Sequence, residues 1–253
     1  MIYKSQHKNA LCLLSLNLDF NQLRFICSMR NNYDLYVVVQ DKSLISKVNS
    51  KLIRMMSIIS PCEKKCESLG YNGSTYCESG IIDFSTRDRC LYFFSEEMTE
   101  YENVWMVEED VFIPSSETLL KIDAKYPSED LLCPKIKRLD PGWYWYKNAL
   151  EELPDQEVYT SMSCAIRCSK DFFKALKISA NNKKYLEMDE ILFANIAMKN
   201  NLSAKHIEEL KYIMFFNHQL PNNCFDRAFI DKNNLYHPLK NLNQQYSLRS
   251  LIN

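Results

Sequence analysis

Three consecutive acids, Glu108, Glu109 and Asp110, interrupt an otherwise apolar stretch of the chain. They follow apolar residues 104–107, and a second apolar run over 111–113 ends at a proline. Burying a carboxylate costs free energy unless the group is paired or binds a metal. The triplet therefore predicts one of two structures. Either it supplies ligands for a hard divalent cation, Mg²⁺ or Mn²⁺, which prefers oxygen, or it marks the exposed end of a strand.

Strand geometry assigns the three acids to two different sides. Side chains alternate along a strand, so Glu108 and Asp110 are expected to share one side while Glu109 points to the other. In an open α/β sheet, ligands bind at the carboxyl ends of the parallel strands. Glu108 and Asp110 are therefore predicted to face a metal, and Glu109 to face protein or a nucleotide ribose.

The elements around the triplet follow an α/β pattern. Apolar runs over 10–18, 34–40 and 57–60 predict buried strands, and helical periodicity over 20–30 and 44–56 separates them. This order predicts a parallel sheet with right-handed crossovers. Helices are also predicted over 85–98 and 185–200. Residues 62–80 are predicted to form a loop, and the polar residues after Pro221, including 241–253, an irregular tail.

Composition excludes some classes of protein. The 253 residues are 46% hydrophobic with a formal net charge of −1, which fits one large domain or two small ones and gives no argument for a nucleic-acid partner. Only four glycines occur, and no glycine-rich phosphate loop is found. The apolar run over 10–16 is too short to span a bilayer and lacks a signal-peptide cleavage site, so a soluble, cytoplasmic chain is expected.

The ten cysteines are predicted to be reduced thiols. Most lie in apolar runs, where a thiol acts as a small hydrophobic group. These are Cys12, Cys27, Cys90, Cys133 and Cys164. The alternative, for Cys62, Cys66 and Cys77, is a loop disulfide or half of a zinc site.

Several segments together resemble one family. They are Val-Glu-Glu-Asp-Val-Phe-Ile after Tyr-Glu-Asn-Val-Trp, then Asp-Leu-Leu-Cys-Pro-Lys-Ile, a Trp-Tyr-Trp cluster, Glu-Met-Asp-Glu-Ile-Leu and Leu-Tyr-His-Pro-Leu-Lys. Over most of residues 10–240 the chain resembles glycosyltransferases of the GT-A fold, including uncharacterised protist, algal and large-DNA-virus members. A viral origin would place it in the host cytoplasm.

The resemblance implies a single α/β domain with an open, mostly parallel central sheet flanked by helices. Residues of about 10–115 would form the nucleotide-sugar half, and about 116–240 the acceptor half. Asp110 would ligate the Mn²⁺ or Mg²⁺ that bridges the donor diphosphate. Glu108, where aspartate is commoner in the family, would contact the ribose, the metal or its water shell. His237 would complete the metal site; its alternative is a loop histidine with no partner.

Other positions have two interpretations each. Asp41, after the second strand, would contact the uracil or ribose, or would cap the helix that begins near Ser43. Arg87 would offset diphosphate charge, as would Arg89, or would be a solvated arginine on a helix face. Trp143 and Trp145 would stack on the acceptor sugar, or would belong to a buried cluster.

An inverting transfer needs a general base that takes the proton of the acceptor hydroxyl. The candidates lie at the start of the helix predicted over 185–200: Glu187 and Glu190, which would share a face, and Asp189, which would not. The family pattern favours Asp189 or Glu190. Acids in the first turn of a helix also stabilise its dipole, which is the alternative for all three.

The sequence therefore predicts a metal-dependent glycosyltransferase that moves a sugar from a nucleotide-sugar donor to a hydroxyl of a glycan, protein or small molecule. One alternative is a sugar nucleotidyltransferase on the same fold. That class usually has a glycine-rich loop with a basic residue after the first strand, and residues 16–20 have neither. A second alternative is a non-catalytic nucleotide- or glycan-binding module. The sugar, the acceptor and the oligomeric state are not predicted.

Overall fold

The computed structural model describes residues 6–72, 85–143, 145–153, 157–214 and 230–252. The strands are β1 Asn9–Ser15, β2 Asp34–Val39, β3 Ser57–Ile59, β4 Asn103–Glu108, β5 Leu131–Cys133, β6 Lys137–Arg138, β7 Tyr159–Thr160, β8 Ala165–Ser169, β9 Ala204–His206, β10 Tyr212–Ile213 and β11 Tyr236–His237. The α-helices are α1 Phe20–Cys27, α2 Ser50–Ile53, α3 Glu63–Ser68, α4 Thr86–Tyr92, α5 Thr118–Lys125, α6 Tyr146–Glu152, α7 Lys170–Lys183, α8 Asp189–Lys199 and α9 Leu242–Ile252. Lys42–Lys47 and Glu208–Leu210 are 3₁₀-helical, and Phe93–Glu97 is a π-helical turn after α4.

A seven-stranded sheet in the order β3-β2-β1-β4-β8-β5-β9 forms the centre of the protein. Strands β1 to β4 are parallel to one another, β8 is antiparallel to both β4 and β5, and β9 is parallel to β5. The prediction of a mostly parallel α/β sheet is confirmed. It succeeded because parallel strands are covered on both faces and therefore consist of continuous apolar runs.

Helices cover both faces of this sheet. Leu14 of β1 packs with Leu91 of α4 and Phe172 of α7 in one core cluster. Leu13, on the opposite face of β1, packs with Ile122 of α5 and the buried side of α1 in the other. The alternation along β1 thus divides the core into two layers. No helix in the described ranges is long and apolar enough to cross a bilayer.

The irregular tail predicted after Pro221 was wrong over 236–237, which form β11, and over 242–252, which form α9, while 221–229 and 253 lie outside the described ranges. The polar residues that suggested an exposed tail bond inward to the main chain of the acidic segment. Gln245 Nε2 donates to Glu109 O at 2.9 Å, and Arg249 Nε donates to Ile113 O at 2.9 Å. Composition alone cannot distinguish a polar side chain that is buried and bonded to main-chain carbonyls from one that is exposed to solvent.

Three other predicted elements have different bounds. The helix predicted over 44–56 is two short pieces, because the Asn49 side chain accepts from Lys51 N–H and starts α2. The helix predicted over 185–200 starts only at Asp189, since Met188 is extended and its N–H donates to the Glu152 carboxylate at 2.9 Å. The loop predicted over 62–80 contains α3, and residues 73–80 lie outside the described ranges.

We expect Arg249→Ala to lower the free energy of unfolding by about 2–4 kcal/mol, measured by urea denaturation. The variant leaves a buried carbonyl without its donor and removes a guanidinium that lies 3.7 Å from the ring centroid of Phe25. Arg54→Ala, at an exposed arginine, is the matched control and should change stability by less than about 0.5 kcal/mol. Equal effects of the two variants would contradict the structural role of α9.

Candidate active site

A cleft of about 580 Å³ opens where β1, β2 and β4 end at their carboxyl side. Its acidic lining includes Glu108, Glu109, Asp110 and Asp189; its basic lining comprises Arg87 and Lys240; and its apolar lining includes Leu14, Leu16 and Leu242. Five residues singled out from the sequence therefore meet at one place. This agrees with the rule that open α/β sheets bind ligands at the carboxyl ends of their strands.

His237 lies directly behind the acidic residues. It is buried in β11, and its Nδ1 lies 2.6 Å from the carbonyl oxygen of Met214. A carbonyl can only accept, so Nδ1 carries the proton and donates. The other ring nitrogen, Nε2, lies 3.4 Å from Asp110 Oδ1 and 3.9 Å from Glu108 Oε2. His237 therefore has partners on both sides, unlike a loop histidine without any.

The main chain fixes His237 beside the acids. Phe112 N–H donates to Tyr236 O at 2.8 Å, Tyr236 N–H donates to Phe112 O at 3.2 Å, and Leu239 N–H donates to Asp110 O at 2.8 Å. The acidic segment and the segment around His237 therefore form a short ladder, although more than 100 residues separate them in sequence. The positions of Asp110 and His237 are set jointly by these hydrogen bonds.

The cluster attracts a cation. Burial lowers the pKa of His237, but the carboxylates of Asp110 and Glu108 outweigh that effect and hold the pKa above its usual value. When neutral, the ring presents the lone pair of Nε2 to two carboxylates. Two carboxylates and one imidazole, the imidazole oriented by a carbonyl, form a donor set that fits a divalent ion such as Mn²⁺.

Arg87 joins two of the predicted site acids. A capping box between Ser85 and Asp88 starts α4 one residue before it, and the side chain of Arg87 is buried. Its guanidinium pairs with Glu108 through Nη2, lies 2.5 Å from Asp189 Oδ2 through Nε, and donates to Ser163 O through Nη1. Arg87 is therefore not a solvated surface arginine. It brings the end of β4 and the start of α8 to the same wall of the cleft.

Glu109 has a different set of partners. Its carboxylate accepts hydrogen bonds from Ser15 Oγ at 2.7 Å, Leu16 N–H at 3.0 Å and Asn17 Nδ2 at 2.8 Å. Of the two predicted environments, protein or ribose, the carboxylate contacts protein. It holds the turn after β1, where Leu18 adopts a φ of 52°.

The three candidate bases occupy distinct environments. The expectation that Glu187 and Glu190 share a helix face was wrong, because α8 starts at Asp189 and leaves Glu187 outside. Glu187 is buried and pairs with Lys183 of α7. Burial, together with the charge of Asp189, raises the pKa of Glu190 to about 7.

The remaining predicted residues, Asp41, Trp143 and Trp145, are not among those that line the cleft. Asp41 is exposed and its carboxylate accepts from Ser43 N–H and Oγ at 2.8 and 2.7 Å, which is the predicted capping role. Its neighbour Gln40 lines the cleft. Trp143 and Trp145 are partly buried, and Trp143 packs on a small cluster that includes Ile191 of α8.

Sequence reasoning missed two residues of this region: Cys164, which lies beside Glu108 and His237, and Lys240, which lines the cleft. The sulfur of Cys164 and ligand atoms of Glu108 and His237 all lie within 4.8 Å of one another. The position of Cys164 follows from the antiparallel pairing of β4 with β8, because Glu108 N–H donates to Cys164 O at 2.9 Å just before β8 begins. Only the register of the antiparallel strand could have shown this. Lys240 follows His237 by three residues and lines the cleft.

The protein is similar to solved structures in its fold, although not in its sequence. No family model and no curated protein matches the sequence. The bifunctional glycosyltransferase WbbM has a TM-score of 0.50 at 12% identity, over 95% of this chain and 49% of that one, so this chain spans about half its length. An active-site mutant of LgtC has a TM-score of 0.48 at 8% identity, over 95% of each chain. The 4-diphosphocytidyl-2C-methyl-D-erythritol synthase of Anaerococcus prevotii DSM 20548 has a TM-score of 0.43 at 10% sequence identity, over 79% of this chain and 86% of that one.

These similarities concern the fold. The chain has the GT-A type of fold seen in nucleotide-diphospho-sugar transferases, and that part of the predicted resemblance is confirmed. The resemblance to protist, algal and viral members stays a prediction.

We expect the stability difference between the wild type and Glu190→Gln to depend on pH. A carboxyl whose pKa is raised from 4.5 to about 7 holds its proton more tightly when folded. The wild type therefore loses free energy of unfolding as pH rises through this range, while the glutamine variant does not. From pH 5 to pH 8 in urea denaturation, the variant should gain about 1–3 kcal/mol on the wild type.

Glu208→Gln is the matched control for this measurement. Glu208 is exposed, and its variant should differ from the wild type by less than about 0.5 kcal/mol at every pH. If the difference in free energy of unfolding between Glu190→Gln and the wild type also stayed constant with pH, the burial of the Glu190 carboxyl would be contradicted.

Proposed function

From a nucleotide-diphospho-sugar transferase fold, we propose that the protein is a metal-dependent glycosyltransferase that moves a sugar from a nucleotide-sugar donor to an acceptor hydroxyl. One observation carries the proposal. Nε2 of a buried histidine, its other nitrogen fixed by a carbonyl, faces the carboxylates of Asp110 and Glu108 beside a cleft at the carboxyl ends of the sheet.

Asp110, Glu108 and His237 would hold Mn²⁺ or Mg²⁺. When bound, such an ion supplies Lewis-acid stabilisation of the charge that develops on the leaving nucleoside diphosphate. Two cationic side chains line the same cleft, the buried Arg87 and the exposed Lys240. The charge of Lys240 supports a donor with a diphosphate, because preorganised cations stabilise charge where it develops. Arg87 is already paired with Glu108 and Asp189 and would hold these carboxylates in place beside the donor.

The nucleoside would bind on the side of the cleft formed by β1 and β2. Leu14 and Leu16 give that side apolar surface, and Gln40 and Asn17 supply amide groups that can hydrogen-bond with a base or ribose. Glu109 holds the turn that carries Leu16 and Asn17. In this proposal Glu109 acts on the donor by positioning that turn, and Asp41 acts through the chain segment next to Gln40.

The acceptor would enter past the start of α8. Asp189 lines the cleft, and burial raises its pKa, but its carboxylate is already paired with Arg87. Burial raises the pKa of Glu190, the next residue along α8, to about 7, which suits proton acceptance near neutral pH. We therefore assign the general-base role to Glu190 and a positioning role to Asp189. Trp143, which packs near Ile191, and Trp145 would offer aromatic surface to an acceptor sugar.

We expect nucleoside diphosphates and nucleotide sugars to stabilise the protein in a thermal-shift screen, and Mn²⁺ to strengthen the effect. A ligand at about 100 times its Kd should add about 2.7 kcal/mol of stability. Asp110→Asn should abolish the Mn²⁺-dependent part, because it removes a ligand charge. Asp171→Asn, at an exposed aspartate in α7, is the matched control and should retain the full shift.

Other outcomes of the screen would favour the other functions. A shift that needs no Mn²⁺ and survives Asp110→Asn would support a non-catalytic binding module. Formation of pyrophosphate from a nucleoside triphosphate and a sugar phosphate would support a sugar nucleotidyltransferase. If no nucleotide shifts the folded protein, the donor site is wrong. Asn caps a helix about as well as Asp, so Asp41→Asn should leave the helix start intact. A smaller thermal shift by nucleotides in that variant would therefore support a direct contact between Asp41 and the nucleotide.

We expect Glu190→Gln to lower kcat for sugar transfer by about 10²–10⁴-fold, the usual contribution of a general base. Wild-type activity should rise with pH through about 7, because the base must lose its proton, and the variant should lack this rise. Steady-state kinetics across pH would measure both. A normal kcat in Glu190→Gln, with the pH dependence lost in Asp189→Asn, would assign the base to Asp189.

A further inference from the structure

Cys164 contributes a fourth donor atom to the cluster around His237. Its Sγ, a carboxylate oxygen of Glu108 and a ring nitrogen of His237 lie within 4.8 Å of one another, and Asp110 Oδ1 is 3.4 Å from His237 Nε2. Side chains from the end of β4, the residue before β8 and β11 thus converge on one point. The set consists of two carboxylates, one imidazole and one thiol.

The separations suit a first coordination shell. In tetrahedral zinc sites, with bonds of about 2.0–2.3 Å, neighbouring ligand atoms are about 3.3–3.8 Å apart. His237 Nε2 lies 3.4 Å from Asp110 Oδ1 and 3.9 Å from Glu108 Oε2. The Cys164 sulfur, a carboxylate oxygen of Glu108 and a ring nitrogen of His237 lie within 4.8 Å of one another, so a shift of about 1 Å would bring these three atoms to the separations of a coordination shell.

A purely apolar role does not account for the thiol's neighbours. Cys168, four residues further along, is enclosed by the core cluster on one face of the sheet. Cys164 is also buried and belongs to the core cluster on the other face, but its sulfur in addition lies beside the Glu108 carboxylate and the His237 ring. Its backbone is held there by the hydrogen bond from Glu108 N–H.

We propose that Cys164 ligates the metal together with Glu108, Asp110 and His237, and that this thiolate makes the site select Zn²⁺ or Co²⁺ over Mn²⁺ and Mg²⁺. The inference rests on the metal site of the proposed function. Thiolates favour softer ions, whereas an oxygen-only set suits Mg²⁺ and Mn²⁺. On binding, the thiol proton leaves to the buffer as the sulfur–metal bond forms, so the thiolate offsets one positive charge of the ion.

The test uses Co²⁺ as a spectroscopic probe on the full chain without nucleotide. A bound cobalt thiolate gives a near-ultraviolet charge-transfer band, which should appear in the wild type and vanish in Cys164→Ser. The matched control is Cys62→Ser, at an exposed cysteine, which should keep the band. Competition titrations should show Zn²⁺ affinity at least about tenfold weaker in Cys164→Ser, with Mn²⁺ affinity changed less than about threefold.

A second measurement needs no variant. X-ray absorption of the zinc-loaded wild type should show one sulfur neighbour per zinc at about 2.3 Å. Only nitrogen and oxygen neighbours, or a cobalt band that survives Cys164→Ser, would overturn the inference. Circular dichroism and thermal melts would report the folding of Cys164→Ser, and Cys164→Ala would replace it if it does not fold.

The two proposals fail separately. A zinc–sulfur bond without any thermal shift by nucleotides would leave the Cys164 ligand standing and remove the donor site. A Mn²⁺-dependent thermal shift by nucleotides, with no sulfur bonded to the metal, would support the donor site and overturn the Cys164 ligand.

Discussion

Compensation of negative charge at the end of β4 is the constraint on which the rest of the site depends. Glu108, Glu109 and Asp110 are consecutive, and α8 adds Asp189 to the same cleft. Carboxylates gathered at low exposure repel one another and lose hydration, so each needs a partner. The structure meets this need in different ways: an arginine for Glu108 and Asp189, hydrogen-bond donors of the β1 turn for Glu109, and a histidine for Asp110.

These partners come from widely separated parts of the chain. Compensating the charge at the end of β4 therefore requires several distant segments to meet there. Arg87 is placed by the capped start of α4, and His237 by the ladder between Phe112 and Tyr236. Helix α9 then holds the backbone of the acidic segment through Gln245 and Arg249. A buried ion pair adds little net stability, because desolvation offsets attraction. Its effect here is geometric, since it fixes carboxylates beside a cleft.

Fixed charges of this kind would suit the sugar-nucleotide transfer that we propose. Groups that are already oriented stabilise a developing charge without reorganising during the reaction. In the proposed function, a cation would bind between Nε2 of His237 and the carboxylates of Asp110 and Glu108. The thiol of Cys164 lies near the same atoms, so in our proposal the identity of the ion would depend on more than the acidic motif.

The sequence by itself determined the parallel sheet and the place of the acidic segment, because buried strands and strand ends are local patterns of hydrophobicity. It also identified Arg87, Asp189 and His237 as candidates. Only the tertiary structure decided that Arg87 joins Glu108 to Asp189, that α8 begins after Glu187, that α9 is a helix, and that Cys164 faces His237. Each depends on a partner distant in sequence, and the free energy of such a pairing leaves no periodic trace in the chain.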